Sequence, residues 1–148
     1  MSEEYSILVT GAAGLLGSHF CEHLLATGKN VVAIDNLTGG YRENIPDGVK
    51  FYQADLCNHS IVDSIVRDNN IRYIYHFAAY AAVGLSPFIR RFNYNNNVIA
   101  SVNLINAAIR YNIKKFIFAS SMDVYGAQNP PFTENMMPQP TDPYGIAK

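Results

Sequence analysis

Val9-Thr10-Gly11-Ala12-Ala13-Gly14-Leu15-Leu16-Gly17 decides the fold: an apolar strand runs into glycines spaced G-x-x-G-x-x-G, and a helical pattern follows. Ser6 to Thr10 carry the apolar and β-branched residues of a buried strand, and Leu15, Leu16, His19, Phe20, His23 and Leu24 then recur at helical spacing. The change of period falls on the glycines, so they occupy a strand-to-helix turn. There Gly11 takes the bend, Gly14 lets backbone N–H groups approach an anion with no Cβ in the way, and Gly17 lets the helix lie close to the strand. The unpaired N–H groups of the helix N-terminus favour a diphosphate. The turn, with Ala13, Leu15 and Leu16 between its glycines, reads as dinucleotide-binding.

A second apolar run, Val31-Val32-Ala33-Ile34-Asp35, ends on an acid at the interval this turn predicts, and Asn36 follows it. A carboxylate at that strand end can accept both ribose hydroxyls of an adenosine and repels a 2′-phosphate, which favours NAD over NADP. The alternative is a solvated strand-end Asp.

The 148 residues suffice for one domain with a sizeable core, and 49% hydrophobic composition suits an α/β protein. Net charge is −1 with no basic run, which gives no support for nucleic-acid or anionic-membrane capture and points to small-molecule partners. No apolar stretch approaches membrane-spanning length, and Met1-Ser2-Glu3-Glu4 is acidic without a signal-peptide pattern, so the expected location is the cytoplasm. Cys21 and Cys57 show no metal-ligand spacing and read as reduced and non-catalytic. His19 and His23 stand one helical turn apart without an evident third ligand, so no metal is expected.

In chain order, the first helix runs to about Thr27 with Gly28 placed to end it, and Pro46-Asp47-Gly48 turns into a third strand at Val49 to Gln53. Asp55-Leu56 follows that strand. A helix from about Ser60 presents Ile61, Val62, Ile65 and Val66 on one face, and Ile71 to Phe77 reads as a fourth strand. Ser86-Pro87 supplies an N-cap and first-turn proline for a long helix whose Val98, Val102, Ile105 and Ile109 mark a core stripe. Phe116 to Ala119 forms a fifth strand, and Asp142-Pro143 opens a last helix. The alternation predicts an α/β fold, a doubly wound parallel sheet of Rossmann type with strand order 3-2-1-4-5. Ligands of such sheets bind beyond the carboxyl ends of the strands, which nominates Gly11, Asp35, Asp55, Phe77, Ala78, Ala79, Ser120 and Ser121.

Ser121 closes the fifth strand, and Tyr144 and Lys148 stand four apart at the start of the last helix, on one face. An ammonium beside a phenol favours the phenolate. Ionising a free phenol near pH 7 costs roughly 4 kcal/mol. One cation about 5 Å away at an effective dielectric near 20 returns on the order of 3 kcal/mol. With an oxidised nicotinamide ring adding to the field, Tyr144 becomes a general base for a hydroxyl whose carbon gives up hydride, and Ser121 a group that holds the hydroxyl. The alternative is that Tyr144 packs and Lys148 is solvated.

Gly11 to Gly17, Asp35-Asn36-Leu37, Asp55-Leu56, His76-Phe77-Ala78-Ala79, Asn97-Val98, Ser120-Ser121-Met122-Asp123-Val124-Tyr125-Gly126 and Pro143-Tyr144-Gly145-Ile146-Ala147-Lys148 together resemble the extended short-chain dehydrogenase/reductase family. The likeness is nearest to its NAD-dependent nucleotide-sugar epimerase/dehydratase group, of the UDP-glucose 4-epimerase type. It implies that Asp35 binds the adenosine ribose, Asp55 and Leu56 border the adenine, Phe77 to Ala79 line the cofactor and Asn97 braces its site. Ser121, Tyr144 and Lys148 are the implied catalytic triad, with Tyr144 and Lys148 also touching the cofactor. The implied activity is inversion at C4 of a nucleotide sugar, most simply a UDP-hexose, through a 4-keto intermediate with NAD retained.

Two positions depart from the pattern. Family dehydratases carry an Asp-Glu pair where this chain has Met122-Asp123, which disfavours dehydration, and some 4-epimerases have Lys where this chain has Ala81, which leaves the sugar class open. Family members also continue well past the Tyr-x-x-x-Lys motif into a substrate domain, so the expectation is the NAD-binding portion of a longer enzyme, inactive by itself, with an exposed apolar edge at Phe116-Ile117-Phe118. The alternatives are an NAD-binding module without catalysis and a dehydratase or reductase of the same family. The resemblance further implies a homodimer built from the long helix after Pro87 and the helix beginning at Tyr144.

Overall fold

The computed structural model describes residues 5–148; the acidic Met1-Ser2-Glu3-Glu4 lies outside the described residues. Strands β1 (Ser6–Thr10), β2 (Asn30–Asp35), β3 (Lys50–Gln53), β4 (Ile71–His76) and β5 (Lys115–Phe118) pair in parallel in the order 3-2-1-4-5. In this register Val9 lies between Ala33 of β2 and Tyr75 of β4. The central strands read as continuous apolar runs because helices cover both faces.

On one face Ile7, Val9, Val31 and Ala33 meet Cys21 and Leu24 of α1 (Leu15–Ala26). On the other, Leu8, Val32, Ile34 and Ile74 meet Val62, Ile65 and Val66 of α2 (His59–Asp68) and Ala100, Leu104 and Ala107 of α4 (Ala100–Arg110). Gly28, at a φ of +71°, ends the first helix by adopting a left-handed conformation that side chains resist. Asn58 accepts from the Ile61 N–H and so caps α2.

Four sequence expectations are corrected. The buried side of α1 is Gly17, Ser18, Cys21 and Leu24, whereas Leu15 and Leu16 are 75% and 66% exposed. The helix approaches the sheet so closely that small residues must face it, and the larger Leu15 and Leu16 stay outside. Phe20 remains half-buried, its ring 4.4 Å from that of Tyr75.

The long helix does not begin at Pro87 but at α3 (Arg90–Tyr94), and it passes through a π-helical turn, Asn95–Ile99, into α4. Its buried face carries Asn93, Asn97, Ala100, Leu104 and Ala107, while Val102, Ile105 and Ile109 are exposed and Val98 only partly buried. Small and amide side chains let this helix sit close to β4 and α2. The apolar stripe of the sequence faces outward. Ile61 of α2 is likewise exposed.

Candidate functional site

Gly11 turns the chain at a φ of +68°, and a Cβ there would lie 2.6 Å from the Ala78 nitrogen. At Gly17 a Cβ would meet the Gly11 carbonyl at 2.2 Å, so this glycine is demanded by the helix lying on the turn. Gly14 differs: only the Gly11 carbonyl lies within 4 Å of a Cβ built there, leaving the backbone open on the other side. Gly14 is also the N-cap of α1 and contributes no side-chain cap. No side chain therefore competes for the first N–H groups of the helix, the arrangement in which a helix N-terminus takes an anion.

Asp35 ends β2 with both oxygens engaged: Oδ2 accepts from the Ala13 N–H at 3.0 Å and Oδ1 from the Leu37 N–H at 2.7 Å. Each oxygen keeps a further lone pair. Leu37 takes a φ of +62° to complete that turn. The Ala13 carbonyl receives the Tyr41 N–H and the Asn44 side-chain amide, which ties the loop after β2 to the glycine turn. Gly40 is required there, because a Cβ would sit 2.7 Å from that of Ala13.

Beyond β3, Asp55 accepts from the Cys57 N–H, and Asn103 of α4 donates to the Leu56 and Cys57 carbonyls, holding this corner in place. Burial, helped by Asp55, pushes the Cys57 thiol up to about 11, which leaves it unreactive at neutral pH. Beyond β4, the Ala78 N–H reaches Thr10 Oγ1, and Asn97 clasps Tyr80 by accepting from its N–H at 2.7 Å and donating to its carbonyl at 3.1 Å.

These segments enclose a cleft of about 170 Å³ at the carboxyl ends of the strands. Gly11, Gly14, Asp35, Asn36, Asp55, Leu56, Phe77, Ala78 and Ala79 line it. Ala13 and Asn97 stand behind its wall as hydrogen-bonding supports, Gly17 packs against the Gly11 carbonyl, and Leu15 and Leu16 project outward. Sequence reasoning passed over Thr38, Gly39, Gly40, Tyr80, Asn96 and Ala100, which also line it. Gly39-Gly40, so soon after Asp35, was the available signal; the helix residues carried none.

Ser121 lies beyond the end of β5 rather than closing it, and caps a 3₁₀ turn, Met122–Tyr125. Its hydroxyl donates to Asp123 Oδ2 at 2.8 Å. Tyr144 belongs to α5 (Pro143–Ala147), where Asp142 accepts from the Tyr144 and Gly145 N–H groups at 2.8 and 2.9 Å. A Cβ on Gly145 would lie 2.6 Å from the Asp123 carbonyl, so glycine allows α5 to settle on the turn that carries Ser121. Lys148 follows α5 with its Nζ 4.9 Å from the centre of the Phe118 ring, and burial holds its ammonium below the usual lysine range. Among the described residues no hydrogen bond joins Ser121, Tyr144 and Lys148 to one another.

A strand-end glycine turn, an open helix N-terminus and an acid at the end of the neighbouring strand, converging on one cleft of a parallel sheet, define a dinucleotide-binding α/β domain. The comparisons narrow this further. The model of the NAD dependent epimerase/dehydratase family matches residues 7–148, and the chain belongs to that family. The UDP-glucose 4-epimerase of Bacillus subtilis is 39% identical to it, over 97% of this chain and 44% of that protein. The structure of UDP-glucose 4-epimerase with UDP-glucose from Thermotoga maritima superposes with a TM-score of 0.93 at 36% identity, over 97% of this chain and 47% of the other. For the Thermus thermophilus UDP-glucose 4-epimerase complex with NAD the TM-score is 0.91 at 36% identity, again over 97% and 47%. The chain therefore spans less than half the length of these relatives. NAD is the cofactor of the family, and the open Gly14 backbone and uncapped α1 fit its diphosphate.

Proposed function

We propose that this chain carries the cofactor half and the catalytic groups of an epimerase that inverts C4 of a UDP-hexose. The observation that supports it most is the seating of α5 on the 3₁₀ turn after β5, which brings the helix of Tyr144 against the turn of Ser121 at the carboxyl end of the sheet. In this reading Gly14 and the α1 N-terminus hold the diphosphate of NAD, Asp35 accepts the ribose hydroxyls, and Asp55, Leu56 and Phe77 to Ala79 line the remainder. The bound nicotinamide supplies a reversible hydride acceptor, as passage through a 4-keto sugar requires. Tyr144 takes the proton of the sugar C4 hydroxyl and later returns it. Lys148 supplies positive charge beside the phenol. Ser121 turns from Asp123 to hold the sugar oxygen. Met122 supplies no acid for dehydration.

A homodimer and a cytoplasmic location belong to the same proposal. Support for the dimer comes from α4, whose Val102, Ile105 and Ile109 are 43%, 43% and 72% exposed. The deciding assay gives the full-length protein UDP-glucose, UDP-galactose and their N-acetyl counterparts and follows C4 inversion. Inversion without net NADH formation is expected, with Tyr144→Phe slower by about 10²–10⁴-fold. Absence of inversion with every sugar rejects the reading; full activity in Tyr144→Phe rejects the base.

A further inference from the structure

The segment between β4 and α4 grips the first turn of α5 at two points. Ser86, wholly buried, directs its hydroxyl to Asp142 Oδ1 at 3.4 Å, and Asn93, also wholly buried, donates from Nδ2 to the Pro143 carbonyl at 2.9 Å. Asn93 Oδ1 in turn accepts from Asn97 Nδ2 at 2.9 Å, and Asn97 holds both the N–H and the carbonyl of Tyr80 in the wall of the cleft. A continuous amide chain thus runs from the cofactor wall to the residue preceding Tyr144.

We propose that Asn93 is a positioning residue for Tyr144: through the Pro143 carbonyl it fixes the phenol relative to the cofactor wall. Three observations support it. The chain of bonds ends on the Pro143 carbonyl, in the first turn of α5 and one residue from Tyr144. Both buried amides are committed to backbone groups at the two sides of the site, so movement of either side leaves a buried polar group unpaired. The π-helical turn, Asn95–Ile99, begins two residues beyond Asn93 and includes Asn97, a feature common at functional sites. A local shift of α5 by about 1 Å is enough to cost about 10²-fold in turnover.

The proposal rests on the epimerase reading, and its test separates the two. The full-length protein is prepared as wild type, Asn93→Leu and Asn93→Asp. Leucine keeps the volume and removes the donor; aspartate can donate to the Pro143 carbonyl only while its carboxyl is protonated. Expected for Asn93→Leu is a turnover per NAD-loaded molecule lower by about 10²-fold, with KM and NAD occupancy within about threefold of wild type. Turnover of Asn93→Asp relative to wild type falls as pH rises. Hydrogen exchange at residues 142–147 speeds up by about tenfold in Asn93→Leu while residues 71–76 are unchanged. Unchanged turnover overturns the proposal, as does a loss that tracks NAD occupancy without a pH trend, or failure of both variants to fold. A wild type silent toward every nucleotide sugar rejects the epimerase reading alone; exchange at residues 142–147 then decides the role of Asn93.

Discussion

His76 shows how one buried residue is held in a single protonation state. Ser101 Oγ donates to the Asn97 carbonyl and therefore accepts from His76 Nε2, at 2.9 Å. That leaves Nδ1 to accept from Thr10 Oγ1 at 2.6 Å, and Thr10 in turn accepts the Ala78 N–H. The tautomer follows from the partners. Burial first, and the nearby Lys148 charge second, lower the imidazole from 6.5 to about 4. Protonation is thus easier in the unfolded chain. Stability from this group is complete above pH 6.5, falls by roughly 3 kcal/mol between pH 6.5 and 4, and is level below. Urea unfolding of wild type against His76→Gln across that range measures it: the difference between the two free energies should change with pH inside the window and be constant above it. The sequence placed His76 at a strand end but held no sign of its partners, because Thr10 and Ser101 are far from it along the chain.

At the scale of elements, the glycine turn and α1 form one packed unit. Gly17→Ala places a methyl 2.2 Å from the Gly11 carbonyl and 2.7 Å from Ala12 Cα, both backbone atoms that cannot rotate away. A loss of about 1–3 kcal/mol is expected, together with weakened NAD binding as the turn is displaced. Gly84→Ala, with nothing within 4 Å of its Cβ and away from the cleft, is the control and should leave stability within about 0.5 kcal/mol of wild type. Denaturant titration and calorimetry with NAD measure both. The turn was legible because glycines spaced between a strand period and a helix period fit little besides a tight strand-to-helix bend. The buried sides of α1 and α4 were not. Helical periodicity finds an apolar stripe, and where glycine, alanine, cysteine and asparagine allow close approach, the larger side chains are displaced outward.

At the scale of the molecule, that displacement leaves Val102, Ile105 and Ile109 as an exposed stripe along α4. If the stripe joins two copies, Ile105→Asp in the full-length protein converts a dimer to a monomer by light scattering, because a buried unpaired carboxylate costs several kcal/mol. A wild-type monomer rejects the interface. The succession of strands and helices, the glycine turn, Asp35 at the end of β2 and the Asp142-Pro143 start of α5 were determined by the sequence alone, since each depends on local period, capping or backbone freedom. Only the tertiary structure decided the rest: that Asn93 and Asn97 link Tyr80 to Pro143, that Ser121 is held by Asp123, and that α4 turns its amides inward and its branched residues out. Those choices depend on which backbone groups, distant in sequence, meet across the end of the sheet and must be paired there, and periodicity along one element carries no record of them.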